Sequence, residues 1–325
     1  MSTPTGKRGA VVAHPVETPP SETFDHVFGT AAHVTTHTVR HSASSNTASE
    51  QEITLRIAFD DDERIAAFDA EYRSKSGAYS RATDAGMAEA AFLIGPYRVP
   101  AYRFRGRAWL TNPVGGRCAP CAIEPLVRET ALDKAARELG LTPMEIRRRN
   151  LLSEIEMATG ASHGATISGS APPPSLEPLL GKLNVAEFRE EQMAARICGR
   201  FLGLGIAIHA TAAHACIVDV DRGTGFVTIK RGISSEDCGV GISPALDDGQ
   251  IAGGLAQAIR SLLPAISDVR ELEYVHTTAE GEGGITVYVS ALINAIADAM
   301  APFGALPESL PLTPAMLLAV MEPRD

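Results

Sequence analysis

The chain has 325 residues, 45% of them hydrophobic and 21% charged, enough to bury a sizeable core in one large or two ordinary domains. Those proportions exclude a disordered acidic tail and a fibrous repeat. A formal net charge of −10 leaves no basic face to neutralise phosphates, which argues against a nucleic-acid partner.

No membrane span is expected, because no run of about 18 apolar residues is free of charge. The best candidate, 197–218, is broken by Arg200, His209 and His214. Lys7 and Arg8 precede too short an apolar stretch for a secretory signal, and five scattered cysteines do not form a disulfide framework. A soluble cytoplasmic protein is the expectation. The 29 glycines and 21 prolines against one tryptophan point to many loops, the usual carriers of ligand sites.

Residues 1–50 read as a mobile N-terminal region that can hold a first strand, with the first 20 or so mobile. His33 to Val39 is β-branched and reads as a strand; Ile53 to Phe59 alternates and reads as another; Ala101 to Phe104 reads as a third. Asp60 to Glu63 reads as an acidic solvated turn. Glu124 to Leu139 reads as a helix ended by Gly140, and Thr142-Pro143-Met144-Glu145 is a capping box opening a short helix to Arg149. A Gly/Ser/Pro linker follows and separates a first subdomain (51–158) from a second (184–325), with 159–183 between them.

In the second half Asn184 caps a helix to Cys198. Gly203 to Ile208, Ala215 to Val220 and Gly225 to Lys230 read as strands, the last two joined by the turn Asp221 to Thr224. Helices are expected over 248–263 and 287–300 and from Thr313-Pro314 onward. Helices and strands alternate without a clean βαβ repeat, so the fold class is α+β.

Three constellations invite chemistry. His33, His37 and His41 would share a helical face, but in a strand four residues span about 13 Å, so no metal site is expected there. Cys118-Ala119-Pro120-Cys121 precedes a helix start that lowers thiol pKa values, the pattern of a redox dithiol. Ala279-Glu280-Gly281-Glu282-Gly283-Gly284 is a Gly-rich loop holding two carboxylates, which suits a general base beside a closely approached ligand.

Taken in order, several segments resemble the molybdopterin-binding large subunit of the xanthine dehydrogenase and aerobic carbon monoxide dehydrogenase family. They are Gly95 to Tyr102, Ile123-Glu124 with Asp133 to Gly140, Glu145 to Leu151, Leu202 to Ala207, His214 to Val227, Asp237 to Gln257, Gly281 to Gly284, Asn294 to Ala299 and Leu310 to Pro314. The resemblance implies an α+β fold of mixed sheets and packed helices in two subdomains, a remnant of the molybdenum-binding domain. It implies a molybdenum-dependent, hydroxylase-type oxidoreductase acting on a small aldehyde, a heterocycle or a carbon monoxide-like substrate. Glu282 matches the family's active-site glutamate, which deprotonates a metal-bound hydroxyl. Gly116, Arg117, Gly281, Gly283 and Gly284 fall on cofactor-binding segments. The implied cofactor is molybdenum-molybdopterin cytosine dinucleotide, and the implied partners are FAD-binding and 2Fe-2S subunits.

The sequence also departs from the family. The stretch before Gly116-Arg117 lacks a Tyr-Arg-Gly, and Ala279-Glu280 stands where the family has Lys-Gly. Between Ala207 and Ala213 the chain passes over the family's central Gly-Gln-Gly and Gly-Ser-Arg loops. These departures carry two alternatives: a non-catalytic remnant keeping fold and subunit contacts, and a dithiol protein acting through Cys118 and Cys121.

Overall fold

Period-two alternation builds the first sheet. In β3 (Glu50–Phe59), Ile53, Leu55 and Ile57 fall on one face and are fully buried. The computed structural model describes residues 12–18, 21–42, 50–76, 93–110, 123–153, 181–209, 212–237, 262–269, 272–277 and 285–322, with single positions 156, 179, 256, 259 and 260.

Six strands form the first sheet: β1 (Val12–Thr18), β2 (His33–Ser42), β3, β4 (Ile65–Ser76), β5 (Ala101–Leu110) and β11 (Ser309–Leu310), in the order β1-β5-β4-β3-β2-β11. The sheet is mixed: β4 pairs β5 in parallel and β2 pairs β11 in parallel, the rest antiparallel. Its outer face carries α1 (Ser21–Thr30), whose Phe24 packs on Ala58, Ala67 and Ala101. Beneath α1, the buried Asp69 carboxylate accepts from Arg56, Arg103 and Arg105 at 3.0–3.3 Å.

The second sheet has the order β10-β8-β7-β6, with β9 also on β8. Its strands are β6 (Phe201–His209), β7 (Ala212–Val220), β8 (Val227–Asp237), β9 (Ile266–Val269) and β10 (Leu272–Thr277). β6, β7 and β8 are antiparallel, whereas β9 and β10 run parallel to β8.

Two long helices lie between the sheets: α2 (Ile123–Leu139) on the core face of the first, α5 (Ile285–Met300) on β6 and β7 of the second, and the two against each other. One continuous apolar core runs through both layers. α3 (Pro143–Asn150) has the predicted capping box, Thr142 Oγ1 accepting from the Glu145 N–H and Glu145 from the Thr142 N–H. α4 (Val185–Ile197) starts at Asn184, and α6 (Pro314–Met321) at Thr313.

α5 approaches β6 so closely that two glycines are obligatory. A Cβ on Gly203 would lie 1.9 Å from the Ala295 carbonyl oxygen, and one on Gly205 2.0 Å from that of Ala291.

Several elements differ from the sequence reading. Residues 12–18 are strand β1 rather than part of a mobile lead-in, and 21–30 are helix α1. β4 has no counterpart in the sequence reading, because Ala66, Ala67 and Ala70 are weak strand formers and Asp69, buried here, is a residue type usually found at the surface. β6 and β7 form a hairpin in which His209 pairs with Ala212 across two residues. The linker 159–178 lies outside the described residues, as does most of 248–263, of which 256, 259, 260 and 262 are helical.

Gly205→Ala is expected to destabilise the chain by about 3 kcal/mol or to prevent folding, because backbone atoms must move to admit the methyl group. Gly29→Ala, in α1 with nothing within 4 Å of the added carbon, is expected to be neutral or stabilising by up to about 1 kcal/mol. Urea unfolding of both variants checks the contrast.

Candidate functional site

α2 is buried on most of its circumference, and this includes charged residues. Arg128, Glu129 and Asp133 are at most 1% exposed, as is Arg147 of α3. Groups of this kind are tolerated inside a core only when paired and hydrogen-bonded. Glu129 accepts from the Tyr97 hydroxyl (3.1 Å), Arg147 Nε (3.0 Å) and the backbone N–H of Ile208 (3.1 Å). Arg128 donates to Glu129 (2.9 Å) and to the Ile208 carbonyl (3.0 Å). Arg147 also holds Asp133 (2.5 Å) and the Pro143 carbonyl (2.8 Å). Burial alone would lower the Arg147 pKa, but the Asp133 and Glu129 carboxylates outweigh it and raise it, so Arg147 stays charged. Burial, followed by the Glu129 charge, holds the Tyr97 hydroxyl well above its ordinary range, so it acts as a donor.

This cluster sets a direction. Ile208, beside the last residue of β6, is gripped by the second turn of α2. α5 runs antiparallel along β6, with Asn294 donating to Ile206 O (3.1 Å) and Asp298 accepting from Leu204 N (2.8 Å). The start of α5 therefore lies at the same end of β6. The two sequence stretches that carry every predicted site residue immediately precede these helices. Gly116 and Arg117 come before Ile123; Gly281, Glu282, Gly283 and Gly284 come before Ile285. All six residues lie outside the described residues, as do Cys118 and Cys121.

The two helix starts differ chemically. α2 carries the buried carboxylate of Glu124 in its first turn, which occupies the positive end of its dipole. α5 has no acidic residue in its first turn, so its N-terminal N–H groups suit an anion such as a pyrophosphate. That donor chemistry fits a phosphorylated cofactor at this end of β6.

His33, His37 and His41 lie on strand β2, and no group of three metal-ligating side chains occurs among the described residues. His33 instead pairs with Glu138 (3.0 Å). Burial, then the charges of Lys134 and Arg137, lowers the His37 pKa to about 4. Cys216 is buried, and burial pushes its thiol well above the ordinary range; Cys198 is exposed at the end of α4. Among the described residues no helix is long and apolar enough to cross a membrane.

Comparison with known proteins decides the family. Two family models, each described as a molybdopterin cofactor-binding domain, match residues 26–151 and 203–263, together more than half of the chain. The chain belongs to the molybdopterin-binding hydroxylase family. It is 34% identical over 220 residues to the 6-hydroxypseudooxynicotine dehydrogenase complex subunit gamma of Paenarthrobacter nicotinovorans, a match covering 62% of this chain and 27% of that protein. It is 32% identical over 138 residues to the nicotine 6-hydroxylase large subunit of the same organism, covering 32% and 17%. The matched region thus spans about a quarter or less of these curated relatives. In fold it resembles reconstituted CO dehydrogenase from Oligotropha carboxidovorans, with a TM-score of 0.75 at 12% identity, covering 95% of this chain and 77% of that one.

The family-like segments have packing roles in the structure. Gly203 and Gly205 admit α5; Asn294 and Asp298 fix it to β6 and α4; Glu129, Asp133 and Arg147 join α2 to α3 and β6. The sequence reading assigned no role to Arg128, Glu129 or Tyr97. The available signal was Glu129 and Asp133 recurring with Ala136 at the helical core period.

Arg147→Met leaves Glu129 and Asp133 buried without their guanidinium and is expected to remove about 3–5 kcal/mol of stability. Adding Asp133→Asn is expected to recover part of that loss, which a double-mutant cycle in urea would measure. His37 carries the same sign of pH dependence as a paired carboxylate, in a higher pH window. Its folded pKa lies below its unfolded value of 6.5, so its contribution is complete above pH 6.5 and is lost as pH falls toward 4. The expected loss is about 2 kcal/mol between pH 7 and 4.5, absent in His37→Gln and read from unfolding curves at each pH.

Proposed function

We propose that this chain acts as the cofactor-binding large-subunit homologue of a cytoplasmic molybdenum hydroxylase. The substrate would be a small aldehyde, a heterocycle or a carbon monoxide-like molecule. The observation that carries the reading is the pair of molybdopterin cofactor-binding domain matches, 26–151 and 203–263, on a fold shared with CO dehydrogenase. The acid-free start of α5 supports it.

In this reading Gly281, Gly283 and Gly284 let the backbone come close to the cofactor, and Gly116 and Arg117 approach it from the loop before α2. The cofactor is molybdenum-molybdopterin in its cytosine dinucleotide form, and when bound it supplies a two-electron acceptor. The Glu282 carboxylate takes the proton from the attacking water, as a general base. FAD-binding and 2Fe-2S subunits carry the electrons away; the relatives' names, a complex subunit gamma and a large subunit, support assembly with partners.

A second reading, a non-catalytic remnant that keeps fold and subunit contacts, is favoured by one observation. β6 and β7 close as a hairpin over two residues, where the resembled family carries central cofactor loops.

Expression in a host that makes the cofactor separates the two. About one molybdenum per chain and release of a cytosine nucleotide on acid treatment are expected. Glu282→Gln is expected to keep the metal while losing at least about a hundredfold in dye reduction. Molybdenum at background, with co-purifying subunits, would support the remnant instead. A thiol pKa near the ordinary value of about 8.5 for both Cys118 and Cys121 would remove the dithiol alternative.

A further inference from the structure

One chemically mixed cavity among the described residues has no part in the proposed chemistry. It has a volume of about 290 Å³ and lies between β2, the middle of α2, the second half of α5 and the segment leading into β11. Its wall is mostly apolar, with Val39, Leu126, Ile293, Ala297, Leu306 and Leu310. Its titratable lining residues are His37, Lys134, Arg137, Glu138 and Glu308.

Most of the charges there are paired within the protein. Glu138 accepts from Thr35 (2.6 Å) and His33 (3.0 Å), and Glu308 faces Arg40 at 3.7 Å. Lys134 donates to the Thr36 carbonyl (2.7 Å) and stands 4.0 Å from Glu138. The Arg137 side chain has neither a hydrogen bond nor an ion pair among the described residues. The field at His37 is positive: after burial, Lys134 and Arg137 depress its pKa more than Glu138 raises it. An apolar chamber with a few convergent polar groups is the usual form of a small-molecule site, and a guanidinium in a positive field recognises a carboxylate.

We propose that this cavity binds an amphipathic monocarboxylate, its apolar body of about eight carbons against α2 and α5 and its carboxylate on Arg137, with Lys134 beside it. The occupant is anionic because Arg137 is the charge left unmatched. It carries a single charge because Glu138 and Glu308 stand close enough to repel a second. The site is independent of the molybdopterin reading, since its residues lie along the bodies of α2 and α5 rather than at their starts.

The test uses the full chain with octanoate, octanol and octylamine as probes. Octanoate is expected to raise the midpoint of thermal unfolding in a concentration-dependent way, and octylamine to leave it unchanged. Calorimetry is expected to show binding weakened about tenfold in Arg137→Gln, an exposed position where the substitution leaves the fold intact. Ala297→Leu, which fills the chamber, is expected to abolish binding. The His37 ring, followed by NMR, is expected to titrate at higher pH once the anion is bound. No response to octanoate, equal stabilisation by octanol, or an undiminished response in Arg137→Gln would overturn the proposal.

Discussion

Four buried charges hold this molecule in register. Arg128, Glu129, Asp133 and Arg147 sum to zero; Arg128, Glu129 and Arg147 each have more than one partner, and Asp133 is held by Arg147. Their bonds to both the N–H and the C=O of Ile208 treat the end of β6 much as a neighbouring strand would. Sliding α2 by one residue would break all of these bonds and strand charges in a core that cannot solvate them. The cluster also dictates the adjacent chain. Gly95 has φ +59, and a Cβ there would lie 2.5 Å from the Arg128 guanidinium, so the turn leading to Tyr97 exists only around that side chain.

α5 is indexed against the same strand by different means. Contact with Gly203 and Gly205 brings it to β6 at backbone distance, and Asn294 and Asp298 spend their polar atoms on β6 carbonyl and N–H groups. Asp298 also gathers Arg189 (2.6 Å) and Gln192 (2.9 Å) from α4, which closes the far side of the second sheet. With α2 held by charge and α5 by close packing, the two helix starts cannot shift independently. A site assembled from the loops before them inherits a fixed spacing from β6, the condition under which loop residues act as a unit.

How much of this was legible follows from which forces act locally. The capping box at Thr142 and the Asn184 and Thr313 caps are short-range hydrogen bonds, and they are written in consecutive residues. β4 was not legible, because Asp69 is stabilised by three arginines from two other strands, a partnership with no local signature. α1 was missed because its Phe24 and Phe28 find arginine planes from β5 and β3 at 4.2 and 4.7 Å. In α2 the charged residues Arg128, Glu129 and Asp133 are among its most buried, and nothing local announces this, since the partners of Glu129 lie 18 residues on in α3 and about 80 residues on in β6. The family was legible, because its motifs survive as ordered blocks.

Those blocks owe their form to packing more than to catalysis. Glycines that admit a helix, an Asn and an Asp that satisfy strand backbone, and an Arg-Glu-Asp cluster that neutralises itself are all engaged within the protein. Of the residues in these described blocks, Asn294, Asp298, Glu129 and Arg147 direct their bonds to the chain itself, so each would be required by the fold whether or not a cofactor were held. Family membership is carried by α2, α5 and β6, through residues the fold itself requires. Beyond them the frame offers a helix start without an acidic residue in its first turn in α5 and a carboxylate-capped one in α2. An anionic group at this end of β6 would meet the first-turn N–H groups of α5 on better terms than those of α2, where the Glu124 carboxylate already sits at the positive end of the dipole.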